Sequence, residues 1–468
     1  MGRNSIAVFG FGKTGRALLD FLFKKSEFSD IYLYNDSKLD MSRSKIIEYL
    51  SKNIKFYFEA DGFKEISDLV DTVVLSPGFN GRESRFDELR ENGVRVISEI
   101  EFSYEYIDTE KTKVIAVTGT NGKSTTVSLI YHLLRESGRN TFLAGNIGNP
   151  FIAEIDKINA VSDSSFVVLE LSSFQLEDIE RFKPDIALIL NITPDHLNRY
   201  KDMSSYLNAK LNILKNRNSN DFFIYNKDDD LLKRLDAENN LEGYGFSLKD
   251  NSADIYIYDE KLIYKNLGKS NLSGQISLDN NPLRGIHNLE NIMAAVTVAI
   301  IIGISLENIE KSIASFQGLK HRTEFAGSYN GVEFINDSKA TNVDATIKSS
   351  KSFNEDMVII LGGQDKGSSF EELDEILLNR AKGILLIGAA KEKIATQLTL
   401  CNNMVRFVND FDEAVSVGYD IIKENGGVLL LAPACASFDM FENFEERGDS
   451  FKISVNAFIK EMQRGNNG

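Results

Sequence analysis

Short apolar or β-branched runs alternate with longer segments of helical periodicity along most of the chain. The runs at residues 6–9, 73–75, 114–117, 166–169, 186–190, 358–361, 384–387 and 428–431 have strand length and almost no polar positions. Most are followed by Gly, Pro, Ser or Asn, the residues that turn a strand into a βα loop. Strands apolar on both faces belong in parallel sheets covered by helices, so the pattern predicts an α/β fold. The segment 216–285 differs. It is polar and Asn-rich, with short alternating runs such as Ile255-Tyr256-Ile257-Tyr258, and predicts a small antiparallel sheet.

Two boundaries stand out: a charged stretch at 108–113, and a glycine-bearing turn at 318–322 after a helical pattern over 306–316. They divide the 468 residues into three domains, 1–110, 111–319 and 320–468, as a prior of about 150 residues per domain suggests. The first and last are expected to be Rossmann-like parallel sheets flanking a central P-loop ATPase-like domain.

Composition narrows the function classes. A formal charge of −16 disfavours a nucleic-acid binder, which presents basic faces to phosphates. The two cysteines, Cys401 and Cys435, are too far apart in sequence for a disulfide framework or zinc spacing and suit a reducing compartment. The chain opens directly into a strand-like run, leaving no apolar core for a signal peptide. The most apolar stretch, 292–304, is shorter than the roughly 20 residues a spanning helix needs. A cytoplasmic protein without membrane insertion is expected. Any anionic ligand requires positive charge gathered locally.

One such place follows the run 114–117. Thr118-Gly119-Thr120-Asn121-Gly122-Lys123-Ser124-Thr125-Thr126 lies between a strand pattern and a helix pattern, the context of a phosphate loop. Glycines let backbone N–H groups converge on phosphate oxygens, and the helix N-terminus adds a favourable dipole. Lys123 supplies a charge between the β- and γ-phosphates, and the Ser124 hydroxyl is a magnesium ligand. Val117 stands where the common pattern has a further glycine, so the loop is a shortened variant. The plainer reading, a Gly-Lys-Ser turn capping a helix, explains neither the flanking strand nor the glycines. ATP use follows.

The next strand pattern, 166–169, ends in Glu170-Leu171-Ser172-Ser173-Phe174-Gln175-Leu176. An acidic residue at a strand's carboxyl end beside a phosphate loop is where a magnesium carboxylate belongs. The pattern after it ends in Asn191-Ile192-Thr193-Pro194-Asp195-His196, where Pro194 and Asp195 should start a helix with His196 in its first turn. A lone histidine is usually structural, but His196 falls at a sheet's carboxyl edge, where ligands bind. His287 and His321 also lie in dense polar motifs, whereas His132 sits in an unremarkable helix pattern. At the other end of the chain, Gly10-Phe11-Gly12-Lys13-Thr14-Gly15 follows a strand and precedes Asp36 by about 20 residues, satisfying the dinucleotide rule. The residues alone leave NAD and another pyrophosphate ligand both open.

The series GTNGKSTT, ELSSFQLE, NITPDHLNRY, HNLEN, HR, NDSKATN, GGQDKG and APACASFDMFENFEERG resembles the Mur ligases in order, from about residue 5 to 451. The last two, with SSFQL, point within that family to addition of D-glutamate. The resemblance implies an ATP-dependent acid–amino-acid ligase of peptidoglycan-precursor synthesis, a monomer acting on UDP-N-acetylmuramoyl-L-alanine and D-glutamate. A substrate carboxylate attacks the γ-phosphate to give an acyl phosphate, and the amine of D-glutamate then displaces phosphate.

It also implies residue roles. Lys123, His196 and Lys210 are catalytic. Gly119, Thr120, Asn121, Gly122, Lys123, Ser124, Thr125, Asn288, Asn291, Arg322, Asp337 and Lys339 bind ATP. Two magnesium ions are expected, with Ser124 and Glu170 on one, His196 on the second, and a carbamate on Lys210 supplying oxygen ligands. Without the family, Lys210 reads as a helix-surface lysine. Lys13, Thr14, Asp36, Ser37 and Ser76 face the UDP of the substrate in place of NAD, Asn146 its muramoyl portion, and Ser172 the substrate. Thr341, Lys366, Ser437 and Phe444 hold D-glutamate. Ala432 departs from the Ser that the family often has before Pro433, though ACAS is intact.

Two alternatives remain open. A sister ligase, such as a folylpolyglutamate synthase or one adding a different amino acid, should differ at GGQDKG and ACASFD. An NAD-binding regulator with a degenerate ATPase domain should have lost Lys123, Glu170, His196 or Lys210, and none is lost.

Overall fold

The computed structural model describes residues 4–39, 44–194, 199–239, 242–283, 285–365 and 367–465. Among them, twenty strands form three sheets, and every strand-like run in the sequence falls in or overlaps one of them.

The first sheet contains β1 (Ser5–Phe9), β2 (Asp30–Asn35), β3 (Lys55–Phe58), β4 (Thr72–Leu75) and β5 (Arg95–Ser98), in the order β3-β2-β1-β4-β5. All its pairs are parallel. β1 is buried along its whole length, as a central strand covered on both faces must be. The strand order reverses between β1 and β4, which opens a crevice at their carboxyl ends.

The central sheet contains β6 (Thr112–Thr118), β7 (Asn140–Gly145), β8 (Ser165–Glu170), β9 (Ile186–Ile189), β10 (Phe222–Asn226), β11 (Tyr244–Ser247), β12 (Ile255–Tyr258), β13 (Lys261–Leu267) and β14 (Leu272–Ser277). Its order is β14-β13-β12-β11-β10-β9-β6-β8-β7. This corrects the expectation of a separate small sheet over 216–285. β10 and β11 continue the parallel sheet from the edge of β9, and only β12-β13-β14 run antiparallel. The buried run Phe223, Ile224 and Tyr225 is apolar enough for an interior strand. The β12–β13 hairpin turns on Asp259 and Glu260, whose φ values of 50° and 56° give the paired left-handed geometry of a two-residue hairpin loop.

The third sheet contains β15 (Glu324–Tyr329), β16 (Val332–Asn336), β17 (Met357–Gly362), β18 (Ala381–Ile387), β19 (Val405–Phe407) and β20 (Gly427–Leu431), in the order β15-β16-β20-β17-β18-β19. It is parallel except for the β15–β16 hairpin, closed by Asn330-Gly331 with φ 45° and 81°.

The chain forms two compact units. One holds the first two sheets (1–279 and 290–313), and the other holds 280–289 and 314–468 with the third sheet. Within the first unit, the helix Glu99–Tyr104 joins the two sheets. Buried Glu101 accepts the backbone N–H groups of Glu180, Arg181 and Phe182 at 2.9, 2.8 and 2.8 Å. Glu99, equally buried, accepts from Ile152 N at 2.7 Å, and burial pushes its carboxyl up to about 7. Among the described residues no helix is long and apolar enough to cross a membrane.

Candidate nucleotide and metal site

β6 lies in the middle of the central sheet, with β8 on one side and β9 on the other. The chain leaves β6 through Gly119, at φ 153°, and enters the helix Lys123–Glu136 through Gly122, at φ 85°. A Cβ on Gly122 would sit 2.4 Å from Asn291 Oδ1, so the loop reaches the helix Ile286–Ile302 only because that residue has no side chain. Asn291 Oδ1 accepts from Thr126 Oγ1 at 3.1 Å, tying the helix to the first turn after the loop.

The loop after β9 fixes the other side. Asn191 accepts from Asn121 N at 2.8 Å through Oδ1 and donates back to Asn121 O at 3.0 Å. Thr120 N donates to Asn191 O at 2.9 Å, and Thr120 Oγ1 donates to Thr193 O at 3.1 Å. The phosphate loop is therefore pinned in place by its neighbours. Lys123 Nζ lies across it, donating to Gly119 O and Thr120 O at 2.8 Å each. Ser124 and Thr125 are buried in the first helical turn.

Glu170 closes β8 in register with Val117 of β6. Asn146, just past β7, donates to its Oε1 at 2.8 Å. The other oxygen, Oε2, is buried and has no hydrogen-bond partner among the described residues. A desolvated carboxylate oxygen without a donor suits a cation. No three acidic, His or Cys side chains cluster as a metal cage among the described residues. One carboxylate and one hydroxyl beside a phosphate loop is the donor set of Mg²⁺, which keeps water and phosphate oxygens in its shell.

Lys210 is not the surface lysine that its sequence context suggests. It is 2% exposed, its Nζ donates to Gly119 O at 2.8 Å, and it lies 4.6 Å from the Tyr206 ring centroid. Tyr206 Oη in turn lies 3.2 Å from Thr120 Oγ1. His196 and Lys366 lie outside the described residues, as does the start of the helix expected at Asp195.

In the first sheet, Gly10 (φ 101°) and Gly15 make the expected tight turn; a Cβ on Gly15 would overlap Gly10 O at 1.8 Å. Lys13 reaches across to the GNIGNP segment and donates to Gly148 O. Thr14 is the second residue of the helix Lys13–Leu22, and Ser76 Oγ is buried without a hydrogen-bond partner among the described residues. Asp36 is gripped by Arg85 at 2.7 and 3.2 Å, which holds its carboxyl below the usual range. Ser37 Oγ accepts from Asn35 at 3.2 Å. Ser172 donates to Gln175 Oε1 through both N and Oγ at 3.0 Å.

In the second unit, Asn288 is buried in the first turn of Ile286–Ile302, three residues before Asn291. Burial raises the Asp337 carboxyl, while Ser349 and Arg322 oppose the shift. Lys339 Nζ lies 3.7 Å from the Phe444 ring centroid, so these two are in direct contact. Thr341 follows β16 and Ser437 follows β20, at the carboxyl ends of adjacent strands.

Sequence reasoning missed several residues that shape these sites. Asn191 holds the phosphate loop. Arg199 stacks 3.8 Å from the Phe174 ring centroid, pairs with Glu177 at 2.7 Å, and donates to Phe79 O at 3.1 Å, bridging the two sheets. Arg85 and Arg447 were also overlooked. Asn191, Arg199 and Arg447 fall inside the motifs NITPDHLNRY and FENFEERG, which was the available signal.

The fold and site define a phosphate-loop α/β protein with a buried carboxylate at the end of the neighbouring strand. Models of the Mur ligase middle domain and of the Mur ligase glutamate ligase domain match residues 117–299 and 321–435. The UDP-N-acetylmuramoylalanine–D-glutamate ligase of Caldicellulosiruptor saccharolyticus is 37% identical over 455 residues, 96% of this chain and 98% of its own. That of Clostridioides difficile is 37% identical over 457 residues, 96% of this chain and 98% of its own. Among solved structures, the UDP-N-acetylmuramate–alanine ligase of Thermotoga maritima superposes with a TM-score of 0.54 at 19% identity, covering 98% of this chain and 99% of its own. The UDP-N-acetylmuramoylalanyl-D-glutamyl-2,6-diaminopimelate–D-alanyl-D-alanyl ligase of Acinetobacter baumannii gives 0.55 at 18% identity, covering 82% and 90%. The chain belongs to the Mur ligase family.

Proposed function

We propose that this chain joins D-glutamate to UDP-N-acetylmuramoyl-L-alanine at the expense of ATP, as a cytoplasmic monomer in peptidoglycan-precursor synthesis. The observation that carries the reading is the buried Oε2 of Glu170, without a hydrogen-bond partner among the described residues, beside the phosphate loop, in a chain whose relatives are named for this reaction.

Phosphoryl transfer asks for position and charge rather than covalent chemistry from the protein. Gly119, Thr120, Asn121, Gly122, Ser124 and Thr125 present the loop and the helix N-terminus to the phosphates. Lys123 exchanges the carbonyls of Gly119 and Thr120 for phosphate oxygens. A carboxylate oxygen of the muramoyl substrate attacks the γ-phosphorus and the bond to ADP breaks. The amine of D-glutamate then attacks the acyl carbonyl, forms the amide and releases phosphate.

Ser124 and Glu170 would hold one Mg²⁺, and His196 a second; bound Mg²⁺ supplies charge neutralisation at the phosphates. The Lys210 amine can add to CO₂, forming an N–C bond and losing a proton, and the resulting carbamate turns a buried cation into an oxygen ligand. Asn288, Asn291, Arg322, Asp337 and Lys339 are assigned to the nucleotide. Lys13, Thr14, Asp36, Ser37, Ser76, Asn146 and Ser172 are assigned to the UDP-muramoyl substrate, and Thr341, Lys366, Ser437 and Phe444 to D-glutamate.

The test is phosphate release from ATP with Mg²⁺, UDP-N-acetylmuramoyl-L-alanine and a panel of amino acids. Release that depends on D-glutamate supports the assignment. Release with another amino acid only, or none, refutes it.

A further inference from the structure

Arg447 is a buried cation. It is 3% exposed, and no carboxylate pairs with it among the described residues. Its guanidinium instead spans two loops. Nε donates to Ser338 Oγ at 2.9 Å and Nη2 to Ser338 O at 2.9 Å, while Nη1 donates to Cys435 O and Ala436 O at 3.1 Å each. Burial drives its pKa down to about 10. An unpaired buried charge is costly, so a position that keeps one calls for an explanation.

The loops it joins are those following β16 and β20. A third is drawn in, because Ala436 O also accepts from Gln364 N at 2.8 Å and Ala436 N donates to Gln364 O at 3.1 Å. Gly363 packs so closely that a Cβ there would meet Ala436 O at 2.2 Å and Arg447 Nη1 at 3.1 Å. Ser338 Oγ passes the linkage on, donating to Phe444 O at 2.8 Å. Ala434, inside the loop after β20, is held at φ 60°, a conformation an alanine adopts only under constraint.

We propose that Arg447 is the positioning residue of the amino-acid site, setting the loop that carries Ser437 against the loop that carries Thr341 and against Phe444. The proposal rests on the assignment of those residues to D-glutamate. A planar fork with five donors makes all four of these bonds at once, whereas a lysine ammonium has three donors on one compact point. The nucleotide residues of the same loop have separate anchors: Asp337 N donates to Leu431 O at 2.8 Å and Lys339 N to His321 O at 3.0 Å. Loosening Arg447 should therefore displace Ser437 more than Asp337 or Lys339.

The experiment measures KM for D-glutamate, ATP and UDP-N-acetylmuramoyl-L-alanine in full-length Arg447→Lys and Ser338→Ala, with thermal unfolding as a folding control. Ser338→Ala keeps the guanidinium but removes the acceptor of Nε, so it tests the proposal even if Arg447→Lys does not fold. The expected result is a D-glutamate KM raised about 30-fold in Arg447→Lys and about 5-fold in Ser338→Ala, the losses of several and of one charge-assisted hydrogen bond. The other two KM values should stay within about twofold. Parallel rises in all three constants, or no rise in folded variants, would overturn the positioning role. A wild type that releases no phosphate with D-glutamate would strike instead at the activity itself.

Discussion

Gly122→Ala probes the approach between the phosphate loop and the helix Ile286–Ile302. Two separate penalties apply. At φ 85° an L-residue is strained by about 1–2 kcal/mol. The new Cβ would also sit 2.4 Å from Asn291 Oδ1, an atom that cannot retreat freely because Asn291 is buried and bonded to Thr126 at 3.1 Å. Overpacking of this kind costs about 1–3 kcal/mol, so the total is about 2–5 kcal/mol. Gly138→Ala is the control, since at φ 78° nothing lies within 4 Å of its Cβ and only the strain remains. In an Asn291→Ala background the clash disappears, and Gly122→Ala should then cost no more than Gly138→Ala. Thermal unfolding of the wild type and the four variants measures these differences, and ATP KM should rise at least about tenfold in Gly122→Ala as the methyl enters the loop. Equal costs for Gly122→Ala with and without Asn291 would refute the clash.

Glu170→Gln should raise the Mg²⁺ concentration for half-maximal phosphate release by at least about tenfold, read from a magnesium titration, because a neutral amide cannot replace the buried carboxylate oxygen. Lys210→Ala should abolish ligation yet recover partly with short-chain carboxylates in the absence of bicarbonate; no recovery with any small acid would count against the carbamate. Glu101→Ala leaves three backbone N–H groups without their acceptor and should destabilise the first unit by about 3–5 kcal/mol, seen as a lower unfolding temperature. Glu99, raised by burial from 4.5 to about 7, contributes stability that is full below pH 4.5 and lost as pH rises through 7. Glu99→Gln should therefore gain stability relative to the wild type between pH 5 and 8, measured as the difference in unfolding temperature at each pH.

The phosphate loop was legible because its glycines, lysine and flanking periods all point to one local structure. Glu170 was legible because the end of an apolar run is visible in sequence. Lys210 was not: its neighbours have ordinary helical spacing, and only tertiary packing carries its ammonium to Gly119 O. The bridging by Asn191 and Arg447 is hidden for a related reason, since most of their partners are backbone atoms that no side-chain pattern encodes. The segment 216–285 showed strand alternation, but alternation says nothing about the neighbouring strand, so the extension of the central sheet through β10 and β11 was missed.

Passage of the γ-phosphoryl group through the substrate carboxylate can be followed with ¹⁸O. UDP-N-acetylmuramoyl-L-alanine labelled in both carboxylate oxygens is turned over with ATP and D-glutamate, and the released phosphate is examined by mass spectrometry. Each released phosphate should carry one ¹⁸O atom, and the new amide should retain the other. Phosphate free of label, with amide still formed, would contradict passage through the carboxylate.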